Sequence, residues 1–240
     1  SYDEYGISII DEEKCIRCGK CIHSCPFGAI GSKTWIVDVI KALKSGKKVY
    51  AMLAPATEGQ FGEEITMASW RKAMLELGFT EFVEVGLGGD LTAKYEAEEW
   101  REAHEKGEKK VTSCCPAFVN MVRRHFPELS DAVSTTVSPM RAVSRMIKAK
   151  DPQAVTVFIG PGLAKNAEGV DRKNEGSDVY VLTYSEVRAM MRAKDVALEP
   201  VEDTYQEASV FGKSFGTSAG VDAAVQETPN EYGKATKFHG

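Results

Sequence analysis

The chain has 240 residues, and its hydrophobic content of 43% is enough to bury the core of one large domain or two small domains. A net charge of -5 argues against nucleic-acid or anionic-membrane binding, since both need an excess of Lys and Arg. The apolar runs are far shorter than the roughly 20 residues that span a bilayer, and no signal peptide is visible. We therefore predict a cytoplasmic protein with no membrane span, in which clustered cysteines are more often metal ligands than disulfides.

Residues 1–45 are predicted to form a small ferredoxin-like iron–sulfur segment with a linker helix. Cys15, Cys18 and Cys21 stand at C-x2-C-x2-C spacing, and Cys25 follows before a proline, which is the bacterial ferredoxin pattern for a 4Fe-4S cluster. A tight loop of this kind directs thiolates to one face of a cube, and nearby backbone amides hydrogen-bond its sulfides. The alternatives for these four cysteines are a structural zinc site or free thiols.

The fourth cysteine of this run has two interpretations. In two-cluster ferredoxins the fourth cysteine binds the other cluster, whereas this chain contains a single run. Cys25 therefore either completes one local cluster or belongs to a two-cluster domain whose first half precedes Ser1. We favour the second interpretation, because the chain begins only a dozen residues before the motif.

From residue 46 onward, apolar strands alternate with amphipathic helices. We predict strands over 49–54, 82–85, 110–112, 154–159 and 178–183, and helices over 61–77, 91–104, 116–125, 138–148 and 185–192, with a Gly-Gly turn at 88–89. This alternation predicts an α/β fold of two lobes with parallel sheets flanked by helices, the left lobe over about 46–137 and the right lobe over about 138–240. After residue 204 the pattern weakens to one helix over 219–228 and an aperiodic end over 229–240.

Two adjacent thiols, Cys114 and Cys115, stand where a predicted strand gives way to a helix that begins at Pro116. Open α/β sheets place their chemistry at such carboxyl ends of strands. The residues alone leave three alternatives, namely a buried structural pair, a reactive thiol, or a metal ligand with a free neighbour that carries protons.

Several segments resemble the signature segments of the iron-only (FeFe) hydrogenases. They are Thr112-Ser113-Cys114-Cys115-Pro116, Ser138-Pro139-Met140, and Phe158-Ile159-Gly160-Pro161 with Ala164-Lys165, supported by matches at 53–56, 62–64, 89–92 and 215–221. The resemblance covers nearly the whole chain. It implies a two-lobed domain with ferredoxin-type clusters before it, and an H-cluster, a 4Fe-4S cube joined to a di-iron unit, in the cleft between the lobes.

The resemblance also implies roles for individual residues around the H-cluster. Cys115 resembles a ligand of the cube, and Cys114 resembles the thiol that exchanges protons with the di-iron unit. Lys165 matches a lysine that hydrogen-bonds a cyanide, a task that suits a compact cation. Ala54 and Pro55 match the backbone near the other cyanide. The cofactor-binding segment at the middle of the chain comprises Ser138, Pro139 and Met140.

Glu96, Ser134 and Glu99 fall where the family's proton relay runs outward from the cysteine. Proton transfer through a dry interior needs such a chain of carboxyl and hydroxyl groups. Glu96 and Glu99 also lie in an acidic run with two further glutamates, and the alternative for both is a solvated helix face.

The resemblance fails at the cube ligands. Gly162 stands where the family has a second cube ligand, and the family's Cys-x-x-x-Cys segment after residues 215–221 does not occur before Gly240. One of four cube ligands is present, and a cube held by one thiolate should not persist. We therefore expect an incomplete part of a hydrogenase.

The expected function is reversible hydrogen oxidation and proton reduction. Electrons would pass through the 4Fe-4S cluster to a redox partner such as ferredoxin or another electron-transfer subunit, and the substrates would be H2 and protons. A first alternative keeps the fold without hydrogen chemistry, as a hydrogenase-like protein for electron transfer, sensing or iron–sulfur assembly. A second alternative is a ferredoxin-linked binding domain whose cleft takes a partner.

Overall fold

The computed structural model describes residues 2–171, 178–217 and 220–227, and for residues 222, 223, 226 and 227 only the backbone. Its strands are β1 (Val49–Leu53), β2 (Glu81–Glu84), β3 (Val155–Ile159) and β4 (Val179–Leu182). Its helices are α1 (Lys20–Ser24), α2 (Ile36–Leu43), α3 (Met67–Leu77), α4 (Gly86–Glu105), α5 (Pro116–His125), α6 (Pro139–Lys150), α7 (Lys165–Gly169), α8 (Tyr184–Ala193), α9 (Val210–Ser214) and α10 (Gly220–Glu227). Short 3-10 turns cover Pro55–Thr57 and Pro127–Ala132.

The four strands form one parallel sheet in the order β2-β1-β3-β4. Side chains of β1 alternate between the two faces, as a strand buried on both sides requires. Ala51 and Leu53 pack on the face covered by α2, α3 and α8, whereas Met52 packs on the opposite face with α6. The predicted α/β class, with a parallel sheet flanked by helices, is confirmed.

The sheet crosses the expected boundary between the lobes. β1 pairs with β3 over five residues, from Val49 with Val155 to Leu53 with Ile159, so the strands assigned to the left and right lobes share one sheet. Their carboxyl ends lie along one edge, where the connecting loops meet. The division of the chain at residues 45 and 137 stays a prediction.

The predicted Gly-Gly turn lies inside a helix. Gly88 and Gly89 belong to α4, and a Cβ atom at Gly88 would lie 2.1 Å from the carbonyl oxygen of Pro139. A Cβ at Gly89 would lie 2.8 Å from the carbonyl oxygen of Gly212. These glycines therefore serve close packing of α4 against its neighbours, which outweighs their low helix propensity.

Two other expected elements differ from the structure, and a third agrees with it over the described residues. The strand expected over 110–112 is a single bridge between Val111 and Val133, because no longer partner strand runs beside it. The helix expected from residue 61 begins at Met67, after Thr66 accepts a hydrogen bond from the backbone of Ser69 and caps the helix. The late helix is present as α10, while residues 219 and 228–240 lie outside the described residues.

Candidate active site

A cavity of about 400 Å³ opens at the carboxyl edge of the sheet, and we call it the cysteine cavity. Its wall brings together most of the residues predicted for the cofactor site, namely Ala54, Pro55, Cys114, Cys115, Pro139, Met140 and Lys165. Gly162 and Cys18 also line it. The cavity therefore gathers residues from seven separate parts of the chain, including the iron–sulfur segment.

The two adjacent cysteines differ in exposure. Cys115 is exposed and precedes the first residue of α5, whereas Cys114 is half-buried. Burial raises the pKa of the Cys114 thiol, although a hydrogen bond with Thr112 acts in the opposite direction. At neutral pH Cys114 therefore holds its proton, and both Cys114 and the more exposed Cys115 line the cavity.

A continuous series of polar groups leads away from Cys114. Thr112 Oγ1 accepts a hydrogen bond from the Cys114 backbone N–H at 3.3 Å, lies close enough to the thiol to lower its pKa, and donates to both carboxylate oxygens of Glu96, at 3.0 and 2.9 Å. The Ser134 hydroxyl lies close to both Glu96 and Glu99 and lowers the pKa of each, and it can donate its one proton to either carboxylate. The structure therefore joins the three predicted relay residues to Cys114 through Thr112.

The two glutamates of this series have opposite pKa shifts. Burial raises the pKa of Glu96, which is fully buried, and hydrogen bonds from Ser113 and Thr112 offset only part of that effect. For Glu99, partial burial is outweighed by hydrogen bonds from Thr135 and Ser134, so its pKa is lowered. When the pKa values of two neighbouring carboxyl groups are shifted in opposite directions, the group with the raised pKa tends to hold a proton and the group with the lowered pKa tends to be ionised. Here these groups are Glu96 and Glu99, respectively.

Thr112 is a site residue that the sequence reasoning did not single out. The signal was present, because Thr112 stands two residues before Cys114, and residues i and i+2 of an extended chain share one face. The solvated-face alternative is excluded for Glu96 by its burial. It fails for Glu99 as well, because Glu99 is half-buried and its Oε1 accepts a 2.6 Å hydrogen bond from the Thr135 hydroxyl.

Lys165 is held in place by a second residue that the sequence reasoning missed. Its ammonium lies 2.7 Å from Glu168 Oε2 and donates to the Cys114 carbonyl oxygen at 3.1 Å. Both side chains of this ion pair are largely buried, at 12% and 15% exposure. The i,i+3 spacing of Lys165 and Glu168 on α7 was the available sign of the pairing.

Ser138 lies behind this ion pair, outside the wall of the cysteine cavity. It caps α6 and donates its hydroxyl proton to Glu168 Oε1. A second space of about 580 Å³, which we call the polar cavity, adjoins it and is also lined by Ser134 and Glu168. The predicted cofactor-binding role of Ser138 is therefore indirect in this geometry, because Ser138 contacts the residue that holds Lys165.

The iron–sulfur segment has the donor chemistry of a cluster loop. Positive φ angles at Arg17 and Gly19 curl the backbone between the cysteines. Backbone N–H groups of Ala29 and Phe27 lower the pKa of Cys25, so this thiol is prepared to act as a thiolate. Among the described residues no group of three or more His, Cys, Asp or Glu converges on a single ion. A cube takes one thiolate on each iron, so its four ligands do not need to converge in that way.

The cysteine cavity does not offer the donor set of a complete cube. Cys115 is the thiolate at a position where a cube ligand is expected, and Gly162 contributes no side chain. A Cβ atom at Gly162 would meet its nearest neighbour, Lys165, at 3.8 Å, so the space for a side chain is open. Its φ of 92° is, however, a conformation that strains any side chain. At the positions where cube ligands are expected, the described wall of the cavity therefore supplies the Cys115 side chain and lacks one at Gly162.

The fold and the site together define a class, the iron–sulfur α/β proteins with a cysteine-lined cofactor cavity. The family model described as iron only hydrogenase large subunit, C-terminal domain, matches residues 47–239, and the 4Fe-4S binding domain matches residues 8–31. The chain belongs to the iron-only hydrogenase family. These matches support the two cofactors expected from the sequence, the 4Fe-4S cluster and the H-cluster.

Curated relatives agree with this family. The chain is 31% identical to the periplasmic Fe hydrogenase large subunit of Nitratidesulfovibrio vulgaris, over 91% of the chain and 65% of the relative. It is 27% identical to the NADP-reducing hydrogenase subunit HndD of Solidesulfovibrio fructosivorans, over 90% of the chain and 43% of the relative. Iron hydrogenase 1 of Clostridium pasteurianum is also 27% identical, over 93% of the chain and 51% of the relative. The chain thus spans about half the length of these relatives.

Solved structures show the same fold. An apo form of FeFe-hydrogenase HydA1 from Chlamydomonas reinhardtii superimposes with a TM-score of 0.64 at 25% identity, covering 80% of this chain and 57% of the other. The structure that describes stepwise H-cluster assembly in HydA gives a TM-score of 0.67 at 24% identity. The match covers 82% of this chain and 57% of the HydA chain. None of the helices in the described residues is long and apolar enough to cross a membrane.

Proposed function

We propose that the protein takes part in reversible hydrogen oxidation and proton reduction, with this chain contributing an electron-entry cluster and a proton route. The observation that carries the proposal is the unbroken series from Cys114 through Thr112 and Glu96 to Ser134 and Glu99. A buried series of alternating donors and acceptors moves a proton without moving a charged side chain.

Cys114 is the cavity end of this route. Its thiol releases a proton towards the reacting atoms in the cavity and is reprotonated through Thr112, whose hydroxyl gives its proton to the sulfur as it takes one from the protonated carboxyl of Glu96. Ser134 repeats the exchange between Glu96 and Glu99. Lys165, fixed by Glu168, presents a cation to the same cavity and suits an anionic cofactor ligand there.

The iron–sulfur segment is proposed to carry electrons to this cavity. Cys15, Cys18, Cys21 and Cys25 would hold the 4Fe-4S cluster, and Cys18 also lines the cysteine cavity. The redox partner would be ferredoxin or another electron-transfer subunit. The predicted compartment is the cytoplasm, on the ground that reduced cysteines persist there.

A non-catalytic function in electron transfer, sensing or iron–sulfur assembly is the second candidate, and Gly162 favours it. With a glycine on the cavity wall, one thiolate expected of the cube is missing from the described site. Infrared spectra after maturation with the hydrogenase assembly machinery separate the two candidates. Bands of CO and cyanide ligands support the hydrogenase, and their absence from a protein that retains its 4Fe-4S cluster supports the second candidate.

Thr112 provides the sharpest test of the proton route. In a complete, matured version of the protein that carries all four cube ligands, we expect Thr112→Val to lower hydrogen evolution by about 100-fold, the scale of a lost proton-transfer group, because it removes the hydroxyl but keeps the shape. Thr112→Ser retains the hydroxyl and is the matched control, with activity close to that of the unchanged protein. Equal activity of the Val and Ser variants would contradict the route through Thr112.

A further inference from the structure

Helix α5 connects the two candidate cofactor sites. It begins directly after Cys115 at the cysteine cavity, and its last residue, His125, lies beside the ligand loop, which we define as residues 12–25. Any residue that fixes the ligand loop on α5 therefore fixes one site relative to the other.

Arg124 makes the main contact at this end of α5. Its guanidinium donates from Nη1 to the backbone carbonyl oxygens of Glu12 and of Cys15, a predicted cluster ligand. A guanidinium keeps its positive charge at every relevant pH and directs its donors in a rigid, planar arrangement. Arg124 thus places a permanent cation on the backbone of a ligating residue.

Two neighbouring side chains continue the contact along the ligand loop. His125 Nε2 lies 3.0 Å from the Lys14 carbonyl oxygen, and the Asn120 amide donates to the Ile16 carbonyl oxygen at 3.5 Å. All these hydrogen bonds are accepted by backbone carbonyl oxygens of the ligand loop. The contacts with α5 therefore fix the backbone of the loop and do not depend on which side chains the loop carries.

The ligand loop also packs against the wall of the cysteine cavity, at Gly19. A Cβ atom there would lie 2.5 Å from Leu163 Cδ1, and Leu163 lines the cysteine cavity beside Gly162. The loop is therefore held between α5 and the cavity wall.

We propose that Arg124 is a positioning residue for the iron–sulfur cluster, which docks the ligand loop on α5 and raises the reduction potential of the cluster. Reduction adds an electron to the cluster, and a nearby fixed cation stabilises the reduced form. The inference rests on the 4Fe-4S part of the proposed function and is independent of hydrogen chemistry.

The test compares three variants of the full chain after iron–sulfur reconstitution. Arg124→Ala removes the charge and the bonds, Arg124→Lys keeps the charge without the planar double contact, and Arg123→Ala removes an equal charge one position earlier. Arg123 lines the polar cavity and has no hydrogen bond to the ligand loop among the described contacts. Midpoint potentials by redox titration and amide hydrogen exchange over residues 12–19 are the two measurements.

We expect every variant to bind about four irons, as one 4Fe-4S cluster requires. Arg124→Ala should have a lower midpoint potential and at least about tenfold faster exchange in the ligand loop, because it loses both hydrogen bonds from a charged donor. Arg124→Lys should keep most of the potential but exchange faster, and Arg123→Ala should change neither quantity.

Two results would overturn the inference. Equal shifts of potential in Arg124→Ala and Arg123→Ala would show a general charge effect instead of positioning, and an unchanged potential and exchange rate in Arg124→Ala would remove the role altogether. A chain in which residues 15–25 bind no iron would instead overturn the electron-entry part of the proposed function, and the inference with it.

Discussion

The two cysteine sites of this protein are built in different ways. The four cysteines of the iron–sulfur segment lie within eleven residues, from Cys15 to Cys25, so a short loop brings them together. The cysteine cavity is assembled from β-strand ends, three helix starts and loops that are far apart in sequence. A site encoded in one loop depends on local backbone geometry, whereas the cavity depends on the packing of the whole sheet.

The largest expected effect separates the two sites by iron content. Cys21→Ala should abolish most iron binding after chemical reconstitution, because a cube that loses a thiolate is strongly destabilised. Cys115→Ala should keep about four irons per chain, since the cavity lacks further ligands for a cube. Iron and acid-labile sulfide analysis measures both, and eight irons in the unchanged chain would refute the difference between the sites.

The next effect concerns proton transfer at the cavity. In a complete version of the protein that carries all four cube ligands, Cys114→Ala should lower hydrogen evolution by at least about 100-fold, because the route loses its donor at the cavity end. The 4Fe-4S absorbance should not change, as Cys114 is not among the predicted cluster ligands. Normal hydrogen evolution from this variant would reject Cys114 as the proton carrier.

A smaller effect is expected for the ion pair that holds Lys165. Glu168→Gln leaves a largely buried ammonium without its carboxylate partner, and we expect the free energy of unfolding to fall by about 2 kcal/mol. Lys165→Met with Glu168→Gln removes both charges and should recover much of that loss. Urea unfolding of the single and double variants measures the coupling, and additive losses would argue against the pair.

The smallest effects are opposite pH dependences of stability in the proton route. Because the pKa of Glu96 is raised in the folded state, its protonation stabilises the fold below the unfolded pKa, and this contribution is lost as pH rises through the folded pKa. The stability of Glu96→Gln should therefore rise relative to that of the unchanged protein as the pH increases from about 4 to about 8.

Glu99 provides the opposite case. Its lowered pKa means that the ionised carboxylate stabilises the fold above the unfolded pKa, and that this contribution is lost as pH falls through the folded pKa. Glu99→Gln should therefore lose stability relative to the unchanged protein at pH 7 and much less at pH 4. Thermal unfolding across this range measures both variants, and the same direction of change in both would contradict their assigned environments.

Much of the fold and of the site was predictable from the sequence. The periodicities located the four strands of the sheet, and the family resemblance named the cavity residues that the structure gathers, such as Cys114 and Lys165. The glycines of α4 were misread as a turn, because low helix propensity is a local quantity and their close contacts with Pro139 and Gly212 are not. Thr112 and Glu168 were not predicted as site residues, because their roles depend on contacts with other side chains, Thr112 with Glu96 and Glu168 with Lys165.

The sequence by itself determined the iron–sulfur motif and the positions that can carry proton chemistry, since spacing of 2 or 3 residues is a local property of the chain. Only the tertiary structure decided that one sheet unites the strands of both expected lobes. It also decided that Cys18 reaches the cysteine cavity and that Glu96 and Glu99 have opposite pKa shifts. The reason is physical, because burial and the hydrogen bonds that compensate for it come from residues distant in sequence.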